Sequence, residues 1–179
     1  MMRRLYLPLV LFFFVILEGV AIELLPASFV MSDLLIIPHW VFIFLLYIAL
    51  FYDNDRTYFS VLYGAIFGLL IDIVYTGVLG VYMFAYAFTI YVMHGIRKLL
   101  HSNIYVTILL GIIGILFADF TIYLVYSVVG LTDMVLEDYM LYRLLPTIIA
   151  NLLFLLVLYP ITKNRLSKWQ DEQITKTIN

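Results

Sequence analysis

The chain has 179 residues, 65% of them hydrophobic and 12% charged, against roughly 45–50% and 25% in soluble domains, which excludes a water-soluble globular protein. Its net charge of -2 argues against the electrostatic footprint of a nucleic-acid surface, and the lack of any cysteine excludes disulfides, thiolate catalysis and cysteine metal sites. At roughly 20 residues per span, the apolar residues suffice for five or six transmembrane helices.

The runs do not alternate with period two, as strands of a membrane barrel would, so the fold class predicted is an all-α membrane protein, a six-span helical bundle. Residues 1–166 form a single transmembrane domain with spans near 5–25, 34–52, 58–75, 78–96, 104–129 and 141–162, and 167–179 is a short polar tail. The first span follows Arg3-Arg4 and mimics a signal peptide. It is expected to be retained, because Glu18 interrupts its apolar run and no A-x-A-like site follows. The second begins after the Pro26–Asp33 loop and ends at the Asp53-Asn54-Asp55-Arg56 turn. The third carries Gly64, Gly68 and Asp72 at i, i+4 and i+8 on one stripe. A tight bend with Gly77 and Gly80 joins it to the fourth. After the Arg97–Asn103 loop, the fifth span carries Thr107, Gly111, Gly114 and Ala118 as a second small-residue stripe, with Asp119 beside it. The Gly130–Met140 loop leads to the sixth, which opens with Arg143 and holds Asn151 deeper in. The tail is expected to fray, with Trp169 near the headgroups.

Cytoplasmic loops retain Lys and Arg. With the N-terminus inside, nine of the ten basic residues fall on the inner side and Arg143 alone on the outer, so both termini are expected in the cytoplasm.

Charges within spans are costly and usually face protein or water. Counting about 1.5 Å per residue, Glu18, Asp72 and Asp119 all reach the outer half of the membrane, level with Arg143 and above Asn151. Two readings stand: one shared polar pocket, or carboxylates that separately meet water, stay protonated or cap neighbouring helices. The glycine stripes let backbones approach, as internal helix packing or as a partner interface, which leaves a homo-oligomer open. His39, His94 and His101 read as interfacial histidines, scattered over different ends, and no metal site is expected. Pro38, Pro146 and Pro160 read as kinks or helix ends. No nucleophile, P-loop or dinucleotide fingerprint occurs, so no catalytic residue and no cofactor are expected.

The block Gly64-x3-Gly68-Leu69-x2-Asp72-x6-Leu79-Gly80, with the six-span plan, basic start and basic tail, resembles the rod shape-determining MreD family. The resemblance implies a non-enzymatic component of the bacterial cell-elongation machinery in the cytoplasmic (inner) membrane, alongside membrane lipid. The implied partner is an MreC-like membrane protein, and through it MreB, RodA and a class B penicillin-binding protein, in the service of side-wall peptidoglycan synthesis. The architecture is also similar to the S components of energy-coupling-factor vitamin transporters, the alternative function. Their A-x-x-x-A docking motif is missing from the first span.

Overall fold

The computed structural model describes the backbone of residues 2–23, 34–100 and 103–178 and the side chains of 5–21, 34–100 and 103–172. The Pro26–Asp33 loop, His101 and the side chains of Arg3, Arg4 and Lys176 lie outside the described residues. Among the described residues every regular element is helical: α1 (Met2–Glu23), α2 (Trp40–Phe51), α3 (Phe59–Ile71), α4 (Val81–Arg97), α5 (Ile104–Val129) and α6 (Leu145–Ile178). A π-helical turn, Asp72–Thr76, continues α3. A single turn, Leu136–Asp138, and a second π-helical turn, Tyr139–Leu144, lead into α6. The segments Phe59–Thr76, Ile104–Val129 and Leu136–Glu172 are long and apolar enough to cross a membrane, while Leu5–Ala21 and Trp40–Phe51 are shorter apolar helices.

The apolar run in α2, WVFIFLLYIALF, has no polar face, and a helix hydrophobic all round belongs in an interior. Every residue from Val41 to Phe51 is buried, and α2 packs against all five other helices. The outward sides of those helices remain apolar, as Leu5, Leu9, Phe12, Phe13 and Ile16 of α1 and Ile149, Leu153 and Val157 of α6 illustrate. In water such a surface would drive association; in hydrocarbon it is the ordinary exterior.

The second span departs from the sequence expectation. Helix occupies only Trp40–Phe51, about 18 Å, and residues 34–39 are non-helical. Pro38 accounts for the stop, since its ring disfavours helical backbone at Ile37. Uncoiled backbone at membrane depth must find its bonds inside the protein, and α6 supplies them. Ile37 N–H donates to Thr147 Oγ1 at 3.1 Å. Asn151, one turn on, donates from Nδ2 to Ile37 O at 2.8 Å and accepts His39 N–H on Oδ1 at 2.7 Å. Pro146 contributes by what it lacks: without its N–H, the Tyr142 carbonyl loses its usual i+4 donor and accepts Leu35 N–H at 2.8 Å.

The start of α1 and the far part of α6 lie at one end of the bundle, called basal here, where the Tyr6 and Trp169 rings stack at 6.3 Å. There the Asp53 carboxylate caps α3, accepting from Phe59 N–H and from the backbone and hydroxyl of Ser60. Burial pushes this carboxyl above the usual carboxylate range, opposed by the Ser60 and Phe59 bonds. Arg97 donates to the carbonyls of Ala49 and Asp53, and Gln170 reaches the latter from α6 at 2.7 Å. The tail beyond residue 166 is helical to Ile178, not frayed, because Leu166 is buried and Trp169 packs against the core.

Candidate functional site

At the opposite, distal end, three in-span carboxylates meet three different needs. Glu18 of α1 is 3% exposed and accepts the Val41 N–H at 2.8 Å, capping α2, whose own N-cap, His39, makes no side-chain cap bond. A helix N-terminus presents unpaired N–H groups and partial positive charge, which a carboxylate satisfies. Asp72 does the same for α4. Its Oδ2 accepts from Gly80 N at 2.9 Å and Met83 N at 3.2 Å, and its Oδ1 from Tyr82 N at 2.9 Å. Gly80, the N-cap of α4, has no side chain to do this itself.

Asp119 of α5 is the centre of a buried polar network. Its Oδ1 lies 3.0 Å from Arg143 Nη2 and 3.3 Å from His39 Nε2, and its Oδ2 accepts the Tyr139 hydroxyl at 2.8 Å. A carboxylate only accepts, so the His39 Nε2 carries its proton toward Asp119. On its other side, Nδ1 lies 2.8 Å from the Tyr86 hydroxyl. The side chains of Asp119 and His39 are fully buried, and that of Arg143 is 14% exposed. Tyr139 stacks on Tyr123 with ring centroids 3.9 Å apart. One carboxylate therefore ties α5 to the lead-in of α6, to the residue that starts α2 and, through His39, to α4.

Of the residues singled out in sequence, the structure brings Asp119 and Arg143 into direct contact and joins Asn151 to them through His39. Glu18 and Asp72 it places at helix starts instead. Sequence reading missed His39, Tyr139, Tyr86 and Thr147. His39 and His94 are both buried in the protein, the ring of His94 lying 4.8 Å from that of Tyr58. The available signals were a histidine directly before an unbroken apolar run, and the i, i+4 pair Thr147 and Asn151 on an apolar helix. Among the described residues no group of three His, Cys, Asp or Glu side chains is placed to hold a metal ion.

Both small-residue stripes face the protein's own helices. A Cβ on Gly64 would lie 3.3 Å from Ala87 Cα, and one on Gly68 2.6 Å from Tyr82 O and 2.7 Å from Met83 Cα, all backbone of α4. On α5, Gly111 abuts Leu155 and Gly114 abuts Phe42, while Thr107 and Ala118 are buried. Gly77 and Gly80 adopt φ of 68° and 98°, the left-handed region open to glycine. Gly64, Gly68, Asp72, Gly77 and Gly80 thus act as one device: close approach, cap and turn of the α3–α4 hairpin.

On the bundle wall near the network, an apolar groove of about 420 Å³ runs between α1 and α6, lined by Ala21, Pro38, Trp40, Leu153, Phe154 and Val157 among others.

A family model described as rod shape-determining protein MreD matches residues 2–168. The rod shape-determining protein MreD of Bacillus subtilis (strain 168) is 31% identical over 157 residues, 88% of this chain and 90% of that protein. No solved structure matches. With the family model covering nearly the whole chain, and a relative of 31% identity matched over most of both chains, the chain belongs to the MreD family of rod shape-determining proteins.

Proposed function

We propose that this membrane protein of the rod-shape system acts without catalysis, as a rigid docking body that binds an MreC-like partner and through it helps position or activate side-wall peptidoglycan synthesis by MreB, RodA and a class B penicillin-binding protein. The observation that carries this reading is the use of Glu18, Asp72 and Asp119: each is bonded to the protein's own groups, so the polar chemistry inside the spans builds shape. The outward sides of the described spanning helices are largely apolar, and helix association in hydrocarbon rests on packing and shape. Because both glycine stripes are covered internally, the place proposed for one spanning helix of the partner is the concave groove between α1 and α6. The basal end, with Arg56, Arg97, Lys98, Arg165 and Lys168, is read as cytoplasmic in the inner membrane. Leu153 is 61% exposed at the groove, so Leu153→Trp fills it without disturbing the core. The expected outcome is normal abundance, loss of rod shape in cells relying on the variant, and loss of the co-purifying partner. Rod-shaped cells with the partner retained would overturn the assignment.

A further inference from the structure

The 34 residues of α6 extend about 51 Å, well beyond a hydrocarbon core of about 30 Å. The apolar part of the helix ends at Ile161 and Thr162, and the next residue, Lys163, is the first charge after Arg143, its ammonium 5.3 Å from the Tyr159 ring in a cation–π contact; the edge of the hydrocarbon is set at this residue. From that edge, Arg165 and Lys168 stand about 3 Å and 8 Å further along the axis. The headgroup layer is itself about 5–8 Å deep on each side. At this level α6 carries a cleft of about 410 Å³, lined by Asn164, Arg165, Lys168, Trp169 and Glu172. These five positions share one face of the helix. Trp169, held by its stack on Tyr6, forms the amphipathic wall typical of the interface. Arg165 and Lys168 are exposed and one turn apart. Glu172 lies a further turn away from the bilayer, so the two cations occupy the membrane-proximal part of the cleft, and among the described residues the three charged side chains that line it sum to one positive charge. That matches a single phosphodiester, which guanidinium and ammonium donors recognise together.

We propose that this cleft binds the phosphate headgroup of one anionic membrane phospholipid, with Arg165 and Lys168 holding the phosphate, Asn164 donating from the side and Trp169 covering the glycerol backbone. The lipid thereby fixes the depth of α6 at the basal face.

The test is native mass spectrometry of the full-length protein released from bilayers containing equal phosphatidylglycerol and phosphatidylcholine of the same acyl chains. The unaltered protein should retain phosphatidylglycerol about thirtyfold over phosphatidylcholine, the scale of two interfacial cations. Arg165→Gln with Lys168→Gln should lose that preference. Arg56→Gln with Lys98→Gln, the same charge loss away from the cleft, should keep it. On the unaltered protein, raising salt should release phosphatidylglycerol selectively. Preference surviving in the cleft variant, equal loss in the control variant, salt-independent retention, or displacement of the lipid by millimolar inorganic phosphate would each overturn the proposal, the last by marking a site for soluble phosphate.

Discussion

At the residue scale, the bond between Asp119 and Arg143 decides the most. Both groups lie in the bundle interior, where the pair is tolerable because Tyr139 and His39 also donate to the carboxylate. Removing one member strands the other. Asp119→Ala and Arg143→Ala should each cost roughly 3–5 kcal/mol, whereas the double variant should cost clearly less than their sum, with a coupling of about 1 kcal/mol or more. Reversible unfolding in mixed micelles measures this, and strict additivity would show that the two side chains act independently. Asn151 is tested in the same way. Asn151→Leu leaves the His39 N–H and Ile37 carbonyl without partners, at about 1–3 kcal/mol for each unsatisfied group, and should speed hydrogen exchange at residues 35–39 more than in α5. Sequence reading located Asp119, Arg143 and Asn151 because a charge or amide in an apolar span is conspicuous. It passed over His39 because a histidine next to a proline at a span boundary looks the same whether it faces headgroups or turns inward.

At the scale of elements, the α3–α4 hairpin shows what local spacing does encode. Gly64, Gly68 and Asp72 recur at helical spacing, so their common face could be read directly, and that face meets the backbone of α4. Which groups the carboxylates bond could not be read, since Asp72 reaches across a turn to Gly80, Tyr82 and Met83, and Glu18 reaches a helix that starts 22 residues later. The same limit hid the uncoiled segment: Leu34–Ile37 is as apolar as a helix, and its partners Thr147 and Asn151 lie over a hundred residues away. Two glycine substitutions separate packing from propensity. Gly68→Ala forces a methyl group into the α4 backbone and should sharply lower the yield of folded protein, with a penalty of about 1–3 kcal/mol or more for overpacking. Gly95→Ala, on a helix and with nothing within 4 Å of the added carbon, should be neutral or stabilising by up to about 1 kcal/mol. Thermal unfolding in detergent compares them, and equal tolerance at both positions would remove the packing role of Gly68. Asp72→Ala, which strips three N–H groups of their acceptor, should destabilise by about 1–2 kcal/mol and loosen α4 before α5.

At the scale of the whole molecule, the bundle turns Glu18, Asp72 and Asp119 inward to brace a broken central helix and presents an apolar wall, the surface proposed above for a partner helix. The six-helix plan followed from the apolar runs, the breaks between them and the Lys/Arg bias, while the groove between α1 and α6 is a product of where the uncoiled segment runs and had no trace in the local pattern. Absence of native cysteine makes the wall open to direct mapping. Val157 lines the groove, whereas Phe84, 53% exposed, lies on α4, which packs against α2, α3 and α5. The measurement that bears most directly on the docking claim is therefore disulfide cross-linking in native membranes between a single cysteine in this chain and cysteines scanned along the spanning helix of the MreC-like partner. Val157→Cys should give a periodic ladder of cross-links with the spacing of one helix face, and Phe84→Cys should give none; cross-links from Phe84→Cys alone, or no partner at either position while the isolated protein binds a vitamin tightly, would contradict the account.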